Sequence, residues 1–150
     1  MALADTKKNK NVEQLNTFLR GERAAVDAYR QALDRITGGA LRAQLQSCLD
    51  SHQKRVEALI VRITSLGGAA SETSGAWGTM MAAIEAGAAA FSEEAAIAAL
   101  ETGEDHGLAD YQRDLSKLTA DERGLVFNEL LPAQEFTYAR MAELRRALKQ

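Results

Sequence analysis

The residues of this 150-residue chain best suited to chemistry are Glu22, His52, Glu104 and Glu135. Carboxylate oxygens and an imidazole nitrogen are the donors that iron and manganese accept. Each residue interrupts or borders a run of apolar side chains at helical spacing. Glu22 stands between Leu19 and Ala25/Val26, His52 between Leu49 and Val56, and Glu104 between Leu100 and Leu108. Glu135 lies at the edge of the last apolar stripe. A carboxylate buried alone is costly, so such groups are paired, hydrogen-bonded or bound to metal. Tyr29 and Tyr111 follow Glu22 and Glu104 at equal distance, two turns on, where a phenol could hydrogen-bond a ligating carboxylate.

These positions must be brought together by helices. Leu15, Phe18, Leu19, Ala25, Val26, Tyr29, Leu33 and Ile36 recur at three and four, which predicts a helix over about 11–37. Gly38-Gly39 ends it, and a second helix is expected over about 40–66, ended by Gly67-Gly68. The short turn makes them an antiparallel hairpin of helices roughly 40 Å long at 1.5 Å per residue. Ser92-Glu93-Glu94 reads as a capped helix start, with acids suited to the positive end of the helix dipole. A third helix is therefore expected over about 93–118, and a fourth over 121–148 with a kink at Pro132. The segment 69–78 reads as a loop holding Trp77, with a short helix over 79–90.

The two halves repeat. Gly21-Glu22 through Tyr29 to Leu33 aligns without gaps to Gly103-Glu104 through Tyr111 to Leu115, and Ile36-Thr37 matches Leu118-Thr119. Two helical hairpins joined by a long crossover is a four-helix-bundle topology. Glu22 lies 16 residues before Gly38 and His52 14 after it; Glu104 lies 16 before Ala120 and Glu135 15 after it. The four groups are thus expected at one height in an all-α bundle, with residues 1–10 as a flexible basic arm and 11–150 as one domain.

A second reading of the same residues needs no metal: Glu22 pairs with Arg55 or His52 in a buried polar network. Tyr29 and Tyr111 are then core aromatics with satisfied hydroxyls. Glu101, one turn before Glu104, reads as a rim residue, His106 as surface, and Cys48 as a small buried hydrophobe.

Composition excludes other classes. The formal net charge is −3 with both signs interspersed, so no basic stripe for nucleic acid stands out. The single cysteine rules out an internal disulfide framework. No apolar run reaches membrane-spanning length and the acidic start is no signal peptide, which sets a cytoplasmic expectation. No nucleophile–base pairing or phosphate-binding glycine loop can be placed, and no small-molecule substrate is identifiable.

Leu15 to Tyr29, the Ser74-Gly75-Ala76-Trp77-Gly78 linker, and Leu100-Glu101-Thr102-Gly103-Glu104 with Tyr111 resemble a bacterial family of ferritin-like four-helix-bundle proteins that carries no assigned function. The resemblance runs from about Asn11 to Leu148 and implies a ferritin-like fold and metal binding. Ferritin-like dimetal sites usually carry Glu-x-x-His on the second and fourth helices. Here Leu49-Asp50-Ser51-His52 keeps the histidine, and Glu135-Phe136-Thr137-Tyr138 keeps the glutamate with tyrosine in place of histidine. Two of six ligands are absent, which leaves open a single-metal site, a weakened two-metal site, or a network without metal. The first expectation is an iron or manganese protein related to stress, with Glu22, His52, Glu104 and Glu135 as ligands and Tyr29, Tyr111, Glu101 and Tyr138 around them. The alternative is a metal-free structural or interaction bundle. The expected partner is a second copy of the chain, met through the Trp77 loop and the alanine-rich segment 81–90.

Overall fold

The computed structural model describes residues 2–75 and 92–149. Trp77, the expected helix over 79–90 and the alanine-rich segment lie outside the described residues. Helix α1 spans Ala2–Arg35, α2 Gly39–Ser65 and α3 Glu93–Asp114. A 3-10 turn, Leu115–Lys117, follows α3; the fourth rod of the bundle is built from α4 (Ala120–Leu125), a π turn (Val126–Leu130) and α5 (Leu131–Leu148). No strand occurs among the described residues, and no described helix is long and apolar enough to cross a membrane.

The expected stripes face inward. Leu15, Phe18, Leu19, Ala25, Val26, Tyr29 and Leu33 of α1, and Ile36 just past its end, are all buried. Helix α1 begins at Ala2 rather than near Asn11, because alanine, leucine and lysine are good helix formers. It ends where Arg42 of the next helix donates to the carbonyl oxygens of Leu33 and, at 2.6 Å, Ile36. Those last-turn carbonyls have no intrahelical partner, so the guanidinium supplies one. At the far end of α2, Gly67 adopts φ +78° and Gly68 donates its N–H to the Ile63 carbonyl, a left-handed helix stop that favours glycine. Ser92 caps α3 by accepting from the Ala95 N–H at 3.0 Å.

Two apolar clusters fill the bundle. One holds Tyr29, Leu33, Ile36, Leu45, Cys48, Ile97, Leu100 and Met141. The other holds Leu15, Phe18, Leu19, Leu59, Ile63, Tyr111, Leu118, Val126 and Leu130. The start of α1 thus meets the end of α3, and α2 and α3 run parallel. A parallel pair needs a connection that travels the length of the bundle, and its first part is laid along α1. Asn16 donates to the Ala69 carbonyl at 2.9 Å and accepts the Ser71 N–H at 2.7 Å. Gly75 then donates to the Arg20 carbonyl at 2.8 Å, and Ser74 to Asp27 at 2.7 Å.

The expected kink at Pro132 takes the form of a π turn just before it. Proline has no N–H for the carbonyl four residues back, so the helix accommodates it by widening over Val126–Leu130. That turn spends one extra residue. Buried positions on α2 run Leu45, Cys48, Leu49, His52, Arg55; on the fourth rod they run Val126, Leu130, Gln134, Thr137. Gln134 and Thr137 face inward past this turn, and Phe136 is 49% exposed.

Candidate functional site

Between the two apolar clusters lies a polar layer. Glu22 of α1, His52 and Arg55 of α2, Glu104 of α3, and Gln134 and Thr137 of α5 are all buried, none more than 4% exposed. His52 sits at the centre. Its Nδ1 lies 2.6 Å from Glu22 Oε2 and its Nε2 2.6 Å from Glu104 Oε1. The tyrosines cross between hairpins: Tyr29 of the first donates to Glu104 at 2.7 Å, and Tyr111 of the second donates to Glu22 at 2.7 Å.

Arg55 completes the layer. It donates to Glu22 Oε1 at 3.2 Å, to Thr137 Oγ1 at 3.0 Å, and to the Gln134 side-chain oxygen. Gln134 in turn donates its amide N–H to Glu104 Oε2 at 2.8 Å, and the Thr137 hydroxyl donates to the same oxygen at 2.7 Å. Among the described residues no buried side-chain nitrogen or oxygen lacks a partner.

The electrostatics follow from these contacts. Burial opposes the charged form of Glu22, but Arg55, His52 and the phenol of Tyr111 outweigh it and hold its carboxyl down to about 2. Burial would strip the proton from His52, yet Glu104 and Glu22 overcome it and raise its pKa above the ordinary value. Burial, reinforced by the adjacent carboxylates, pushes both tyrosines well above the usual phenol range. Burial also pushes the Cys48 thiol up to about 12, so it is no ready nucleophile. With His52 as imidazolium the layer holds two negative and two positive groups and is electrically neutral.

The structure gathers three of the four expected ligands, Glu22, His52 and Glu104, at one level. Glu135 is not among them. It is exposed, because it stands one residue past inward-facing Gln134 and is turned about 100° away on a helix of 3.6 residues per turn. Tyr138 is half-buried. Glu101 lies at the rim, 3.4 Å from Arg145, and His106 is exposed. Tyr29 and Tyr111 touch the two glutamates directly, each across the hairpin boundary.

Arg55, Gln134 and Thr137 belong to the layer, although only Arg55 figures in the sequence reading, as a pairing alternative. The repeat carries the missing signal. Glu22 and Glu104, Tyr29 and Tyr111, His52 and Gln134, and Arg55 and Thr137 each stand 82 positions apart. Extending the gapless repeat past the turns therefore lands on Gln134 and Thr137. The repeat pairs His52-x-x-Arg55 on α2 with Gln134-x-x-Thr137 on α5, and Glu135 and Tyr138 are not part of the layer.

That register decides whether two metal ions suit the site. A bundle dimetal site takes one glutamate from each of two helices and a Glu-x-x-His pair from each of the others. Here the second-helix pair is histidine and arginine, and the fourth-helix pair is an amide and a hydroxyl. Only two carboxylates are present, and both are saturated by donors. A guanidinium cannot give up its proton to become a ligand, and one lies against Glu22. No group of three or more His, Cys, Asp or Glu among the described residues is arranged to hold a metal ion. The residues do not fit a dimetal centre.

Residues 10–117 match the family described as "Domain of unknown function (DUF2383)". The chain belongs to that family. Among solved structures it is similar to one described as a crystal structure of ferritin-like, diiron-carboxylate proteins from Bacillus anthracis str. Ames. The two share 18% identity over 95% of each chain, with a TM-score of 0.64. At that identity the likeness establishes the ferritin-like fold. No curated protein matches the chain. This DUF2383 protein thus has a ferritin-like bundle in which a charge-balanced polar layer lies between two apolar cores.

A cleft of about 280 Å³ between α1 and α3 reaches Glu22 and His52, passing Gly21 and Gly107. A small residue is needed at Gly107. A Cβ at Gly107 would lie 2.7 Å from the Gln134 amide nitrogen, which is held in place by Glu104. We expect Gly107→Ala to destabilise the fold by about 1–3 kcal/mol through overpacking, read by urea denaturation. An unchanged midpoint would show that Gln134 can move freely.

Proposed function

We propose that this protein is a metal-free ferritin-like bundle, a structural or interaction protein whose polar layer sets the register of its four helices. The observation that carries the reading is Arg55. Its guanidinium spans Glu22, Gln134 and Thr137, so that α1, α2 and α5 are tied at one height by a single side chain. Buried polar groups that are satisfied only in one arrangement act as a register device, since any slip leaves them without partners.

The surface then does the work, and the partner is a second copy of the chain. Among the described large apolar side chains Val61 is 68% and Phe127 64% exposed. Elemental analysis of untagged protein is expected to find no stoichiometric iron or manganese, and a chelator should leave the thermal midpoint unchanged. Sedimentation of the same sample should show a concentration-dependent oligomer. One or two iron or manganese atoms per chain would overturn the metal-free reading. A monomer at every concentration would remove self-association from it.

A further inference from the structure

We propose that Arg55 and His52 stand in for the two ions of a dimetal centre, and that Arg55 is the residue that keeps divalent metal out. The inference rests on the metal-free reading of the preceding subsection and goes beyond it by assigning the exclusion to one side chain.

The six ligand positions of a bundle dimetal site are all present, in register, as buried side chains. Each hairpin contributes one glutamate, Glu22 or Glu104, and one pair three residues apart, His52/Arg55 or Gln134/Thr137. The members of each set are related by the same 82-residue offset, so the positions obey the twofold repeat even where the residue types do not. A side-chain pair three apart on a helix projects to one face, which is the geometry that Glu-x-x-His uses.

The charges also correspond. Four glutamates around two divalent ions sum to zero. Here two of those four positions hold His52 and Gln134, which removes two negative charges. The imidazolium of His52 and the guanidinium of Arg55 supply two positive charges in place of four. The layer is neutral in both forms, and in this chain every carboxylate oxygen faces a donor. A divalent ion entering beside Arg55 would leave the buried layer with excess positive charge, even after His52 lost its proton. The cleft between α1 and α3 is lined in part by Glu22 and His52.

Two variants of the full chain test this with Co²⁺, whose visible absorption reports coordination. Arg55→His removes the fixed cation and adds a nitrogen donor three residues from His52, within reach of Glu22. It is expected to take up one Co²⁺ per chain at micromolar concentration, where the unaltered protein takes up none. The fourfold variant His52→Glu, Arg55→His, Gln134→Glu, Thr137→His is expected to take up two. Far-UV circular dichroism follows folding, and if the fourfold variant is unfolded alone, two equivalents of Co²⁺ should restore its helix. The proposal is overturned if Arg55→His is helical and stays colourless at millimolar Co²⁺. It is equally overturned if the fourfold variant binds no metal in either folded or refolding form. Stoichiometric Co²⁺ uptake by the unaltered protein would instead overturn the metal-free reading itself, so the two failures are distinguishable.

Discussion

Glu104→Leu is expected to lower the unfolding free energy by about 3–5 kcal/mol, the cost of breaking a buried ionic network by removing one partner. Glu104 accepts from Tyr29, His52, Gln134 and Thr137. Leucine conserves much of the volume but accepts from none of them, and it leaves a net positive charge between two apolar cores. Chemical denaturation with circular dichroism reads the change. The comparison that isolates the cause is the replacement of all four charged residues, Glu22, His52, Arg55 and Glu104, by apolar side chains of similar size. Because a buried ion pair often contributes little more than a packed hydrophobic group, this fourfold variant should lose far less than the sum of the single changes. Additive losses would show that the network stabilises the fold outright rather than setting its register. A Glu104→Leu variant as stable as the parent would mean that the layer is not closed in solution.

Stability should pass through a maximum in mildly acidic solution and fall on both sides. The Glu22 carboxyl is held down to about 2 against an unperturbed 4.5. Its contribution is therefore complete above pH 4.5 and is lost as pH falls toward 2. At about 1.4 kcal/mol per pKa unit, that contribution is about 3 kcal/mol. Asp114, held down to about 2 first by its hydrogen bond to Arg113, acts in the same direction, though its partner is exposed and the effect is small. Glu122 also follows: burial works against its charge, and Thr119 and Arg62 outweigh that. His52 has the opposite sign. Its folded pKa is raised above 6.5, so its contribution is complete below pH 6.5 and is lost as pH rises through the folded value. Thermal midpoints across pH 2–10 test this, with Glu22→Gln and His52→Gln as controls. The first should flatten the acid limb and the second the alkaline limb. A profile that is flat from pH 4 to pH 9 in the parent would contradict a charged His52.

The helices, their order and their inward faces were legible in the residues. All eight apolar positions expected on the first helix are buried, and the glycine pairs at 38–39 and 67–68 mark both ends of α2. The reason is that helical periodicity and glycine stops are local properties, set by sterics within a few residues. Glu22, His52 and Glu104 were legible for a related reason, since a polar side chain on an otherwise apolar stripe has to be satisfied by something across the core.

The rest depends on register between helices, which no local pattern carries. Glu135 looked like the fourth ligand because it is acidic and falls at the right height. The buried positions are instead Gln134 and Thr137, the repeat mates of His52 and Arg55. Arg55 figures in the sequence only as one of two alternative partners for Glu22, since a long basic side chain on a helix is usually solvated. Only packing against α1 and α5 makes it a buried cation bridging Glu22 to Gln134 and Thr137. The sequence by itself determined a repeated helical hairpin with carboxylates and a histidine in its core, because hydrophobic periodicity and internal repetition are written residue by residue. Tertiary structure alone decided that those carboxylates answer a guanidinium and an imidazolium, because charge pairing depends on distances of about 3 Å between side chains from different helices.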